Sequence, residues 1–135
     1  MAAVETAGPY PDRLGMLSNP AFFRRDIREG RRGALLNLTL TITNARNNCS
    51  PVANASVEIW QCDANGNYSE YAQPGYNGTG QTFLRGLQTT DAKGNVTFTT
   101  VYRDLRLATR QRARFYPAFL RWGSGRHPER AAVPE

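Results

Sequence analysis

The fold is decided by residues 82–102, which read TFLRGLQTTDAKGNVTFTTVY. Two runs with the composition of β-strands, 82–89 and 95–102, flank the turn sequence DAKG. Gly94 can supply the positive φ that a hairpin with a bulge requires. These residues therefore predict an antiparallel β-hairpin.

Two earlier segments continue the pattern of strands. Residues 36–42 read LNLTLTI and alternate apolar with polar residues, which is typical of a strand with one buried face. Val57 and Ile59 repeat the alternation, with Trp60 on the opposite face. No ten-residue window in the first 102 residues has an apolar repeat at helical spacing. We therefore predict an all-β fold, an antiparallel β-sandwich.

The chain divides into three predicted parts. Residues 1–33 are rich in Pro, Gly and Arg without a strand or helix period, so we expect an irregular N-terminal arm. Residues 34–102 form the β-sandwich core, in which 72–81 is a loop between strands. Residues 103–135 are an Arg-rich tail without sustained strand alternation, and we expect it to be poorly ordered.

The net charge of +6 belongs mostly to the tail. Residues 1–102 hold nine Lys plus Arg against eight acids, whereas 103–135 hold eight Arg against three. Aromatic residues interleave little with the arginines of the tail and no binding fold is visible, so the charge does not favour a nucleic-acid partner. The absence of an apolar run of eighteen residues argues against a membrane partner, and MAAVETAGPYP has no export-signal pattern.

The two cysteines are Cys49 and Cys62, and the single histidine is His127. This set fits no zinc pattern, because four-ligand sites need closer pairs and more donors. A disulfide between the two cysteines is favoured over two buried free thiols. If it forms, the protein works in an oxidising, extracytoplasmic compartment.

Tyr68 is a candidate metal ligand, because residues 59–71 read IWQCDANGNYSEY and place it beside a tight polar turn. A phenol with a pKa near ~10 becomes an anionic donor only beside a strong Lewis acid such as ferric iron. A turn tyrosine more often packs against the rim of a sheet. Trp60 and Phe83 are expected in the core, and Arg85 in a salt bridge or a carbonyl contact.

Five segments occur in order within about residues 5–102: ETAGPYP, RRDIREG, LNLTLTI, SPVANASVEIWQCDANGNYSEY and the hairpin 82–102. Together they resemble the intradiol ring-cleavage dioxygenases, in particular the extracytoplasmic branch related to protocatechuate 3,4-dioxygenase and catechol 1,2-dioxygenase. The resemblance implies a β-sandwich with Fe(III) held by two tyrosines and two histidines. It also implies oxidative cleavage of catechol-type aromatic compounds by O2, a step of aromatic catabolism, and places Tyr68 at the first tyrosine ligand.

The tail departs from this family. The position that the resemblance assigns to the second tyrosine falls on Arg106, and the two histidine positions fall near Arg112 and Arg114. A guanidinium stays protonated and has no lone pair to offer a metal. Three other side chains lie at the wrong spacing to replace these ligands: Tyr102, Tyr116 and His127. Three of the four ligands are thus predicted to be missing, and we do not expect iron to be retained.

An arginine-rich ending that starts directly after a well-matched strand is typical of a truncated or frame-shifted gene copy. The family's closing strands have no counterpart in this tail, so the sandwich is predicted to be incomplete. The sequence therefore predicts an intradiol dioxygenase-like protein with impaired catalysis. The alternative is a non-catalytic β-sandwich binding or accessory module. A basic protein that binds a partner through its tail is a third hypothesis.

Overall fold

The computed structural model describes residues 9–13 and 15–102, together with the backbone of 119–123. Apart from two short helical turns, Met16–Ser18 and Pro20–Phe22, the described elements are strands. In chain order the strands are β1 Ala34–Thr41, β2 Thr43–Asn44, β3 Ser50–Pro51, β4 Ser56–Trp60, β5 Ala72–Gln73, β6 Tyr76–Asn77, β7 Arg85–Thr89, β8 Asn95–Tyr102 and β9 Phe119–Gly123. Within these ranges no helix has the length and apolar character needed to cross a membrane.

Two antiparallel sheets form the sandwich. β1 pairs with β8, so that Ala34 lies opposite Tyr102 and Thr41 lies opposite Asn95. β4 is the central strand of the second sheet, with β7 on one side and β9 on the other. The predicted all-β antiparallel sandwich is therefore confirmed. The region predicted as a loop, residues 72–81, contains the small pair β5–β6.

The core lies between the two sheets. Val57 and Ile59 of β4 and Phe98 of β8 are completely buried, and Val96 is nearly so. Gly86 of β7 brings the backbone against Ile27 and Phe98, where a side chain would clash. The alternation read from the sequence thus identifies the inward face of β1 and β8, whereas β4 is buried on both faces, since Glu58 and Trp60 are buried as well.

The predicted antiparallel hairpin is wrong, because β7 pairs with β4 in one sheet and β8 pairs with β1 in the other. The turn that connects the two strands is present at the predicted DAKG sequence. The Asp91 carboxylate accepts hydrogen bonds from the amides of Lys93 at 2.8 Å and Asn95 at 2.9 Å. Gly94 has φ 77°, and a β-carbon there would lie 2.5 Å from the carbonyl oxygen of Ile42. Glycine is required here for both its backbone conformation and its lack of a side chain.

The N-terminal arm contributes to the core. Met16, Phe22 and Ile27 are buried, and residues 23–27 run between the edges of β7 and β8. The Ile27 amide donates to the carbonyl of Thr99 at 3.0 Å, and the Ile27 carbonyl accepts from Leu84 at 2.8 Å. The segment therefore joins the two sheets. Its apolar residues follow no period, so this role could not be predicted from the sequence.

The tail supplies one strand that the sequence did not predict. β9 pairs antiparallel with β4, with Phe119 opposite Trp60 and Gly123 opposite Ser56. Its sequence, FLRWG, is a short apolar and aromatic run, and such a run can add to a free strand edge without showing alternation. The other residues named for the tail lie outside the described residues: Arg106, Arg112, Arg114, Tyr116 and His127.

No bond between Cys49 and Cys62 is present in the structure, and the disulfide stays a prediction. Cys49 is exposed in the turn between β2 and β3, whereas Cys62 is half-buried and lies two residues after the last residue of β4.

Candidate aromatic site

Tyr68 is positioned by a turn directly after β4. The Asp63 carboxylate accepts hydrogen bonds from the amides of Asn65 at 2.9 Å and Asn67 at 3.0 Å. The side-chain amide of Gln73 then bonds both the N–H and the carbonyl of Tyr68, at 3.0 and 2.8 Å. These contacts fix the backbone on both sides of the phenol, which is only 5% exposed.

Two other tyrosines surround Tyr68. The ring of Tyr10 lies 4.8 Å from that of Tyr68, tilted by 38°, and 5.0 Å from that of Tyr71, at 63°. These are the offset and edge geometries that aromatic pairs prefer. The guanidinium of Arg13 lies 4.8 Å from the Tyr71 ring centre, within the range of a cation–π contact. The structure therefore defines an aromatic cluster of Tyr10, Tyr68 and Tyr71.

Arg85, at the start of β7, holds the loop that carries Tyr68. Its side chain is completely buried. Its Nε donates to the Ser69 hydroxyl at 2.9 Å, and its Nη2 donates to the carbonyls of Ser69 at 3.0 Å and Tyr10 at 2.7 Å. The expected carbonyl contact of Arg85 is present. One cation thus ties the strand, the Tyr68 loop and the N-terminal segment together.

Glu70 is the carboxylate nearest to Arg85. One of its oxygens lies 3.8 Å from Nε of Arg85, and the other accepts the amide of Arg13 at 2.8 Å. Burial raises the pKa of Glu70 above its ordinary value, and the nearby Asp12 raises it further against the lowering effects of Arg13 and Arg85. Burial also lowers the pKa of Arg85, which Glu70 opposes. Each charge of this pair therefore stabilises the other.

The backbone around the cluster is strained at three residues. Tyr10, Glu70 and Leu84 have φ values of 60°, 71° and 55°, in the left-handed region that non-glycine residues seldom adopt. All three are adjacent to Arg85: Tyr10 accepts a hydrogen bond from it, Glu70 lies 3.8 Å from it, and Leu84 precedes it in the chain. Backbone strain of this kind concentrates at functional sites. The strain points to the aromatic cluster as the candidate functional site.

The positions that the family resemblance assigns to the other three iron ligands lie outside the described residues. Within the described part of the chain, no group of three or more His, Cys, Asp or Glu side chains could hold a metal ion. Tyr71 uses its hydroxyl to donate to the carbonyl of Pro11 at 2.7 Å. The guanidiniums of Arg13 and Arg85 lie 4.8 and 5.9 Å from the ring centre of Tyr71, and both would repel a trivalent cation placed in the aromatic cluster.

Sequence analysis found one member of this cluster and missed two. Tyr68 was selected by its turn and by the motifs around it. Tyr10 lies more than fifty residues away in the chain, in a segment without a period, so only the motif ETAGPYP marked its neighbourhood. Tyr71 belongs to the same sequence motif as Tyr68, but nothing in the spacing indicates that its ring contacts Tyr10.

Gly78 controls the backbone of this loop. Its amide donates to the carbonyl of Tyr71 at 2.8 Å, and an added β-carbon would press on the carbonyl oxygens of Tyr68 and Tyr71. Gly78→Ala is expected to destabilise the protein by about 2 kcal/mol, because two backbone groups would have to move. Urea unfolding measures the loss. Thr79→Ala, at the exposed neighbour, is the control and should change stability by less than ~0.5 kcal/mol. Equal effects of the two substitutions would contradict the close packing.

No protein-family model matches this chain, and no curated protein matches it significantly. Solved structures do match. A crystal structure of a dioxygenase superposes with a TM-score of 0.67 at 29% identity, covering 88% of this chain and 57% of the other. The intradiol ring-cleavage dioxygenase from Tetranychus urticae gives 0.62 at 29% identity, with 86% and 54% covered. The chain spans little more than half the length of either protein.

A third structure, the 3-chlorocatechol 1,2-dioxygenase from Rhodococcus opacus 1CP, shares the fold with a TM-score of 0.52 at 23% identity. The superposition covers 74% of this chain and 38% of the Rhodococcus enzyme. The fold is the β-sandwich of the intradiol dioxygenases. The predicted resemblance of this chain to the intradiol ring-cleavage dioxygenases is thus confirmed.

Proposed function

We propose that this chain is an intradiol dioxygenase-like protein in which Tyr68 keeps the position of the first tyrosine ligand and ring cleavage is impaired. The observation that carries the proposal is the buried side chain of Tyr68, in a loop after β4 that Gln73 and Arg85 hold in place. The catechol dioxygenase names of its structural neighbours supply the substrate class, catechol-type rings with O2.

The impairment follows from the chemistry of the residues that the family resemblance aligns with the other ligands. Arg106, Arg112 and Arg114 stand at those positions. Arginine has no lone pair at neutral pH, so it cannot bind iron. A change of reading frame after Tyr102 would explain why three ligands are replaced together. The other frames of the gene should then encode Pro-Gly-x-Tyr and His-x-His, and finding neither would contradict this origin.

Iron titration tests the proposal directly. The purified protein should develop no visible phenolate-to-iron absorption when ferric iron is added, and should not consume O2 with catechol, because one phenolate does not hold Fe(III) in a defined geometry. Tyr68→Phe should behave like the parent protein in both assays. A visible band in the parent that Tyr68→Phe abolishes, together with a ring-opened product, would overturn the proposal. Tyr76→Phe, at a tyrosine outside the aromatic cluster, is the matched control.

A non-catalytic binding module is the second candidate. The observation in its favour is the cluster of three tyrosine rings, which offers stacking surfaces without a metal. A binding module would take up a catechol without consuming O2, as the impaired enzyme would, so the other reading frames of the gene separate the two candidates: only the first candidate predicts Pro-Gly-x-Tyr and His-x-His there. Calorimetry of catechol binding in the presence of a chelator measures this capacity.

A further inference from the structure

The segment that covers Tyr68, residues 9–13, is called the strap. Three consecutive carbonyls of the strap, at residues 9, 10 and 11, each accept a hydrogen bond from a side chain of the sandwich. The donors are Trp60 at 2.8 Å, Arg85 at 2.7 Å and Tyr71 at 2.7 Å. A fourth bond runs from the amide of Arg13 to Glu70 at 2.8 Å. Side chains of the sandwich therefore hold the strap in place.

The strap is not part of a sheet. Among the described residues, no backbone hydrogen bond connects 9–13 to a strand. Pro9 and Pro11 carry no N–H, so the strap could not form all the backbone hydrogen bonds that pair a strand with its neighbour. Release of the strap would break these four hydrogen bonds, together with the contacts of Asp12 with Glu70 and of Arg13 with Tyr71, and would leave every strand pairing intact. Such a segment can open at a much lower free energy than the whole domain.

Tyr10 gives the strap its contact with Tyr68. Its ring packs on the Tyr68 ring at 4.8 Å and reaches Tyr71 at 5.0 Å. The left-handed φ of 60° at Tyr10 is unfavourable for an aromatic residue, so the backbone is strained when the strap covers Tyr68. The group that lies over Tyr68 is itself a phenol, chemically similar to a catechol ring.

We propose that the strap is an internal competitor, in which the Tyr10 ring occupies the place over Tyr68 that a free catechol-type ring takes when the strap releases. The inference rests on the proposed function for its ligand class. The strap lowers the apparent affinity for the free ring, because only the fraction of molecules with an open strap can bind it. Arg85, Trp60 and Tyr71 position the strap and thereby set that fraction.

Calorimetric titration with catechol, in the presence of a metal chelator, tests the competition. Tyr10→Ala is expected to bind catechol about tenfold more tightly than the parent protein, because it removes both the competing ring and its contacts. Tyr102→Ala is the control, since Tyr102 is 42% exposed at the end of β8, and its affinity should stay within about twofold of the parent value. Circular dichroism verifies that both variants are folded.

Tyr71→Phe provides a second variant that keeps every ring. It removes only the hydroxyl that bonds the strap, so the Arg13 amide should exchange its hydrogen several-fold faster and catechol should bind about threefold more tightly. If Tyr10→Ala does not fold, the catechol affinity of Tyr71→Phe tests the proposal. Weaker or unchanged catechol binding in the folded variants would overturn the proposal and assign Tyr10 to the wall of the site. Ring cleavage by the iron-loaded parent would overturn the proposed function and leave this chelator measurement unaffected.

Discussion

Replacement of Arg85 with alanine is expected to destabilise the protein by about 3–5 kcal/mol, because it removes one member of a buried charge pair. The side chain of Arg85 is completely buried and makes three hydrogen bonds, two of them to Ser69. Its loss would leave the buried carboxylate of Glu70 without its nearest cation. Urea unfolding, followed by circular dichroism, measures the change in the free energy of unfolding.

Two further variants make this prediction specific. Arg25→Ala removes an exposed arginine and should change stability by less than ~0.5 kcal/mol. The double variant Arg85→Ala with Glu70→Gln should lose less stability than the sum of its single substitutions, by more than ~1 kcal/mol, because the uncompensated charge is removed as well. Strict additivity would show that Glu70 and Arg85 do not interact.

The sheets of this protein were predictable because their signal is local. Alternation along 36–42 and 95–102, together with the DAKG turn, identifies strands and their buried faces without knowledge of the rest of the chain. The structure pairs β1 with β8 along their full length. The local pattern does not contain the partner of a strand, which is why β9 and the joining segment 23–27 were not foreseen.

The candidate site was predictable only at Tyr68, because its other members depend on contacts between distant parts of the chain. Tyr10 meets Tyr68 through the strap, and Arg85 bonds both the strap and the Tyr68 loop. A buried arginine inside a strand reads in the sequence as an ordinary outward-facing polar residue.

Phe98→Ala is expected to cost about 3–5 kcal/mol of stability, because the variant loses a large buried ring and leaves a cavity between the sheets. Phe98 is completely buried in β8 and lies opposite Leu38 of β1. Its ring also lies beside Gly86, where β7 comes close because it has no side chain. Thermal and urea unfolding both measure the loss.

The adjacent residue supplies the control. Thr97 points to the other face of β8 and shares a hydrogen bond with Thr39 at 2.9 Å on the exposed side of the sheet. Thr97→Ala should therefore cost no more than about 1 kcal/mol. A slip of one residue in the pairing of β1 with β8 would exchange the two faces. A larger loss for Thr97→Ala than for Phe98→Ala would thus contradict the register, and with it the placement of β7, whose first residue holds the Tyr68 loop.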